Sequence, residues 1–167
     1  LLAGLRICHP IERDNTPSHS LMIVRPRVLV PQKLLPWIVS MTSHGGIIHE
    51  LELRYEVCVI AQEKIGALYD RKADPEKGPD RYSCSSFTKA IFARVGIWLP
   101  RYSIDQSYVG TMTEISKAQP GDLLFYQNRY PITDPDRSVG HVGIKVDEHH
   151  MIHGSSRERT IAKERIP

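Results

Sequence analysis

Cys84, His141 and His153 are the residues of this chain whose types and settings suit covalent chemistry. Cys84 lies in "RYSCSSFTKAIFARVGIWLPR", residues 81–101, with Ser83 before it and Ser85 and Ser86 after it. Phe87, Ala90, Ile91, Ala93, Arg94 and Val95 then recur with helical spacing until Gly96. The pattern makes Ser83 an N-cap and Cys84 the first helical residue. A thiol there meets unpaired backbone N–H groups and the positive end of the helix dipole. Both favour thiolate over thiol, lower the cysteine pKa and make a nucleophile. The plain alternative is a small buried hydrophobe.

A cysteine nucleophile needs a base to take its proton and a third group to orient that base. His141 sits in "GHVGIKV", where glycines leave room around the ring, and His153 follows twelve positions later in "MIHGSS". If these two segments pair as strands around Asp147, both rings lie on one face and one orients the other. Either histidine alone reads more readily as a hydrogen-bonded, half-buried structural residue. A Cys/His/His zinc site is a rival, since zinc accepts these ligands. It lacks a close ligand pair in sequence, although His149, His150 and His153 could serve.

The elements that must position these groups follow from the same patterning. Residues 1–48 alternate prolines (Pro10, Pro17, Pro26, Pro31, Pro36) with short β-branched runs such as "LMIVRPRVLV". They read as edge-like strands and loops, an N-terminal extension or small accessory module. From His49 the segment "HELELRYEVCVIAQEKIGALY" suits one long helix reaching Leu68, with Cys58 packed on it. A polar loop, "DRKADPEKGPD", precedes the Cys84 helix, and "SIDQSY" is a short helix after it. "AQPGDLLFYQN" is a turn feeding a strand, and "VGHVGIKVD" and "HHMIHGSS" are strands joined at Asp147 and Glu148. Helices first and an antiparallel sheet after them make the class α+β, with residues 49–167 as the catalytic domain.

Composition narrows the possible functions. With 167 residues, 41% hydrophobic and 25% charged, the chain buries one core and carries at most a small appendage. The net charge of +3 comes from scattered Lys and Arg, without a basic stripe interleaved with aromatics. That carries no mark of nucleic-acid binding, so no nucleic-acid partner is expected, and it suits an anionic polymer such as a cell wall. Cys8, Cys58 and Cys84 cannot all pair within the chain and form no C-x-x-C; a Cys8–Cys58 bridge that frees Cys84 is allowed. No apolar run is long enough to span a membrane, and "LLAGLRICHP" lacks the basic start and long apolar centre of a signal peptide.

Taken in order, "LY...YSCSSFTKAIFARVGIWLPR", "SIDQSYVG", "AQPGDLLFY", "GHVGIKV" and "MIHGSS" resemble the NlpC family of papain-like peptidoglycan endopeptidases, from about residue 55 to 160. Five blocks in the right order make the likeness specific. The resemblance implies a papain-like fold with the nucleophile helix packed on a central antiparallel sheet. By position, Cys84 matches the family nucleophile, His141 the base and His153 the third, orienting residue. Tyr69 matches a tyrosine beside the nucleophile, and Arg101, Ser103 and Gln106 match the stretch that walls the substrate cleft. Asp105 stands where the family often has a small or neutral residue.

Two departures accompany the match. The family usually reads Asp-Cys-Ser-Gly at the nucleophile, whereas this chain reads Ser83-Cys84-Ser85-Ser86. The resemblance implies that the aspartate replaced by Ser83 would have bound the free amine of an L-alanine-terminated stem peptide. Ser86 adds a side chain under the helix start, which is expected to narrow the cleft.

The resemblance implies a cysteine peptidase cutting an amide of bacterial peptidoglycan stem peptides, after D-glutamate and before the diamino acid. The oxyanion would be met by the Cys84 N–H and by Ser85 or Tyr69. No cofactor or metal is required. Action at the wall implies a secreted or periplasmic protein; a secreted toxin of this type would have an immunity or carrier protein as partner. The same thiol and histidine pair also suits an acyltransferase or lipid hydrolase of related fold. A non-catalytic wall-binding module is the non-enzymatic alternative.

Overall fold

A computed structural model of the chain describes residues 21–26, 46–73, 81–127 and 139–167. The described strands are β1 (Leu21–Pro26), β2 (Leu68–Tyr69), β3 (Arg81–Tyr82), β4 (Gly110–Thr113), β5 (Leu123–Gln127), β6 (Val139–Lys145), β7 (His150–Ser155) and β8 (Thr160–Arg165). The helices are α1 (Gly46–Glu63), α2 (Cys84–Arg94) and α3 (Ser103–Tyr108), with a 3-10 turn at Ile115–Lys117. The strands form one sheet in the order β3-β2-β8-β7-β6-β5-β1-β4. All pairings are antiparallel except β2 with β3. The α+β class and the packing of the Cys84 helix on an antiparallel sheet therefore hold, with one parallel pair at the margin.

The core forms where α1 and α2 cover the sheet. Phe87, Ile91 and Phe92 of α2 pack with Val57, Ile60 and Ala61 of α1 and with Leu123, Phe125, Val142, Ile144, Ile152 and Ile161 of the strands. Alternation along β5 and β6 supplies the inward residues, and the i, i+4 spacing of Phe87 and Ile91 supplies the helix face. Arg54 of α1 ties the helix to the sheet, donating to Asp122 Oδ1 at 2.8 Å and to the Pro120 carbonyl at 3.0 Å. The Asp122 side chain is fully buried, so the guanidinium offsets a carboxylate that burial alone would not tolerate.

Two expectations change. Helix α1 stops at Glu63 instead of running on to Leu68. Gly66 adopts φ 90°, and its N–H donates to the Ile161 carbonyl at 2.8 Å while Ile161 donates back to Ala67 at 2.7 Å. These bonds draw the chain onto β8, so pairing with a distant strand overrides helical propensity here. Within the stretch set apart as an N-terminal extension, β1 is an internal strand rather than an edge. It pairs with β5 through Leu21↔Tyr126 to Val24↔Leu123 and with β4 through Ile23↔Thr113 to Pro26↔Gly110. A boundary at residue 48 does not separate it from the sheet, and residues 46–50 already belong to α1. Cys8, and the rest of residues 1–20 and 27–45, lie outside the described residues, as do 74–80 of the polar loop.

Candidate active site

Helix α2 starts where the sequence requires. Ser83 is extended (φ −84°, ψ 171°), and its side chain accepts from the Ser86 N–H at 3.3 Å. The Ser86 hydroxyl accepts from the Ser83 N–H at 2.8 Å, which completes a capping box. Cys84 is thus the first residue of the helix and is half-buried. The helix packs across β6 and β7, the two strands that carry the histidines.

Those strands pair around the turn at Asp147, whose Oδ1 accepts from the N–H groups of His149 and His150 at 2.9 and 2.8 Å. The register sets Gly143 opposite His153, placing His141 diagonally across from it. His141 Nε2 and His153 Nδ1 lie 2.7 Å apart, with ring planes at 82°. A Cβ on Gly143 would stand 3.0 Å from the His153 Cβ, so the missing side chain leaves His153 space to lean toward His141. The two rings meet on one face, as the sequence predicts. On its other side His141 faces Tyr126 of β5, its cross-strand partner, at 6.0 Å between centroids.

Electrostatics correct the expectation of a low thiol pKa. Burial pushes the Cys84 thiol up, and the N–H groups of Val142, Ser85 and Cys84 pull it down without overcoming that desolvation. Burial, aided by the neighbouring His153, holds His141 down to about 4. Burial also lowers His153, although the Glu164 carboxylate opposes it. Burial thus favours the neutral form of both groups, the thiol of Cys84 and the imidazole of His141. A neutral imidazole is the form that can accept a proton.

Tyr69, on β2, borders a cavity of about 540 Å³ that is also lined by Arg71, Tyr126, His141, His153 and Glu164. Burial first, and then proximity to Cys84, raises the Tyr69 pKa, so its hydroxyl stays a donor. The ring packs against Gly154 of β7; a Cβ there would overlap Tyr69 Cδ2 and Cε2.

Residues 75–166 match the NlpC/P60 family over more than half of the chain. The chain belongs to this family. It is similar to the probable endopeptidase p60 of Listeria innocua, 39% identical over 92 residues, which cover 55% of this chain and 18% of that protein. It is also similar to the gamma-D-glutamyl-L-lysine dipeptidyl-peptidase of Bacillus cereus, 34% identical over 80 residues, covering 48% of this chain and 23% of that protein. The chain thus spans under a quarter of the length of these curated relatives. In fold it is similar to the P60 domain of a Mycobacterium avium subspecies paratuberculosis antigen, with a TM-score of 0.59 and 21% identity over 71% of this chain and 89% of that one.

Against the NlpC/P60 pattern, several residues expected to touch substrate are placed elsewhere. Gln106 is fully buried. Its amide donates to the carbonyls of Ser85 and Pro100, both at 2.9 Å, and accepts from Thr88 Oγ1 at 2.7 Å. It locks α3 to the first turn of α2 and presents nothing to a cleft. Ser83 is 3% exposed and engaged in the cap. Ser86 is likewise buried, so its side chain points under the helix and does not narrow an opening. Arg101 donates to the Ser85 hydroxyl oxygen at 3.2 Å and to the Ala73 carbonyl at 2.9 Å, which anchors the guanidinium. Ser103 opens α3 and is half-buried, and Asp105 is exposed.

Among the described residues, no group of three His, Cys, Asp or Glu side chains is arranged to hold a metal. His150 faces Asp147 at 2.8 Å and His149 lies 3.9 Å from Glu148, so neither joins His153. Cys58 is a free, buried thiol 3.8 Å from the Lys145 carbonyl, and burial pushes its pKa to about 11. Among the described residues, no helix is long and apolar enough to cross a membrane. Sequence reasoning passed over Arg71, Tyr126 and Glu164, which line the cavity with the histidines. Tyr126 was legible as the cross-strand neighbour of His141 once the strands were paired. Glu164 had no local motif to mark it.

Proposed function

We propose that this chain is a cysteine peptidase of bacterial peptidoglycan, cutting the stem peptide between D-glutamate and the diamino acid, with Cys84, His141 and His153 as its catalytic set. The observation that carries this reading is the 2.7 Å contact between His141 Nε2 and His153 Nδ1, formed beside a helix that begins at Cys84. The name of the Bacillus cereus relative, a gamma-D-glutamyl-L-lysine dipeptidyl-peptidase, supports the choice of bond.

His141 uses Nε2 toward His153, which leaves Nδ1 for the thiol. As Cys84 Sγ bonds to the carbonyl carbon, its proton passes to His141 Nδ1. The oxyanion takes hydrogen bonds from the Cys84 N–H and from Tyr69 or the Ser85 hydroxyl, whose oxygen accepts from Arg101 while its hydrogen stays free to donate. The carbon–nitrogen bond then breaks as His141 gives its proton to the departing amine. Water, deprotonated by His141, attacks the thioester, and the proton returns to sulfur with release of the carboxylate. No step needs a cofactor. Residues 49–167 together with β1 form the catalytic unit, and peptidoglycan as substrate implies action outside the cytoplasmic membrane.

Incubation of the purified chain with sacculi, followed by mass spectrometry of the released fragments, tests the proposal. New amino termini on the diamino acid are expected. Intact stems, or cleavage at another bond alone, would overturn it.

A further inference from the structure

Resting on the proposed chemistry, a residue outside the expected triad acquires a role. Glu164 sits on β8 beside β7, opposite Met151 and two positions from Ala162, the direct partner of His153, so it shares a sheet face with Ala162 and stands diagonally across from His153. Its Oε2 lies 3.3 Å from His153 Nε2, off the line of an ideal hydrogen bond, and Arg157 Nη2 lies 3.7 Å from its other oxygen. The His153 side chain is only 10% exposed and its Nε2 is closed off from solvent, so the carboxylate is the polar group set against that nitrogen.

We propose that Glu164 is a positioning residue that selects the proton arrangement of both histidines, giving the relay Glu164–His153–His141–Cys84. His153 has two neutral forms, with hydrogen on Nδ1 or on Nε2. Hydrogen on Nδ1 would point at His141 Nε2 and force the His141 hydrogen onto Nδ1, the atom that must take the proton from Cys84. It would also turn the His153 Nε2 lone pair toward the Glu164 carboxylate, which is repulsive. Hydrogen on Nε2 reverses both outcomes. His153 donates toward Glu164, its Nδ1 accepts from His141 Nε2–H, and His141 Nδ1 carries the free lone pair.

Burial works against the Glu164 charge, but the neighbouring Ser155, His153 and Arg157 outweigh it and hold the carboxyl below its usual range. Glu164 is therefore an anion where the relay needs an acceptor. Asp, Glu and Gln all present an acceptor oxygen, whereas leucine of similar size presents none.

The test is nitrogen NMR of the imidazoles together with kinetics on stem peptide, in wild type, Glu164→Leu and Glu164→Gln. Wild type is expected to hold His153 as the Nε2–H form. Glu164→Leu is expected to shift it toward Nδ1–H and to lower kcat about tenfold or more with KM unchanged, in keeping with the cost of losing a carboxylate that orients a working histidine. Glu164→Gln should retain the wild-type tautomer and most of the rate. In a His153→Asn background, Glu164→Leu should cost nothing further. An unchanged tautomer in Glu164→Leu, or an equal rate loss in both backgrounds, would overturn the role. The NMR arm needs no substrate, so a protein that failed to cut stem peptide would sink the proposed activity and still decide this inference.

Discussion

Ser83 and Ser86 hold each other's backbone: the Ser83 N–H donates to Ser86 Oγ at 2.8 Å, and the Ser86 N–H donates to Ser83 Oγ at 3.3 Å. These are the two positions at which the chain leaves the Asp-Cys-Ser-Gly pattern, and they form one device. A glycine at 86 could not return the bond that Ser86 gives to position 83. Each of Ser83→Ala and Ser86→Ala should lower stability by about 1 kcal/mol, the usual value of an N-cap. The double variant should cost less than the sum, because either change already breaks the box. Urea denaturation measures all three; strict additivity would mean that the two serines act independently.

With its hydroxyl turned into the cap and no charge to offer, Ser83 cannot hold a substrate ammonium. The chain should cleave stems still attached to glycan as readily as stems with a free L-alanine amine. A rate comparison on matched fragments decides this. Strong selectivity for the free amine would point to another acid, with Asp105 as the exposed candidate on α3.

Because burial raises the Cys84 pKa, the thiol should react slowly with iodoacetamide at pH 7 and faster as the pH climbs beyond the ordinary thiol range. Cys58, pushed to about 11, should lag behind it throughout. Cys84→Ala should abolish hydrolysis while Cys58→Ala retains it. An alkylation rate already at its plateau near pH 6 would show that a thiolate–imidazolium pair forms after all.

The two histidines should differ in consequence. His141→Ala removes the base and should cost about 10² to 10⁴ in rate. His153→Asn should cost much less, since the asparagine oxygen can accept from His141 Nε2–H. The neutral imidazole is the active form, so with His141 held down to about 4 the rate should persist as the pH falls and be lost only on passing through that value. Kinetics from pH 3 to pH 8 check the sign; an acid limb centred near the ordinary histidine value of about 6.5 would contradict it.

Gly154 makes a separate steric prediction. A methyl group there overlaps the Tyr69 ring, so Gly154→Ala should displace the tyrosine, cost about 1–3 kcal/mol and lower kcat/KM. Adding Tyr69→Ala should restore stability without restoring activity. Recovery of both would remove Tyr69 from the chemistry.

How far the sequence carried the structure depends on the range of the interaction concerned. The cap at Ser83, the start of α2 at Cys84 and the approach of His141 to His153 were legible, because each rests on local periodicity and one short turn. The end of α1 was not, because the bonds of Gly66 and Ala67 to Ile161 decide it from across the chain. Gln106 resembled a cleft residue by position, yet a buried amide with three partners serves to fix the nucleophile helix. The raised thiol pKa was equally hidden, since a helix start announces its dipole in sequence but not how deeply the sheet will bury it. Glu164 needed the β7–β8 register before it could be seen at all.

The position of β1 bears on how the molecule is made. Leu21 pairs with Tyr126, so a strand from the early chain waits until β5 has been synthesised before its hydrogen bonds can close. Such distant pairing slows folding, and in the interval "LMIV" is an unpaired apolar segment open to chaperones or to a second nascent chain. Expression from His49 onward would leave β5 with a bare row of N–H and C=O groups, a template for aggregation that a histidine or cysteine variant of the full chain would not share.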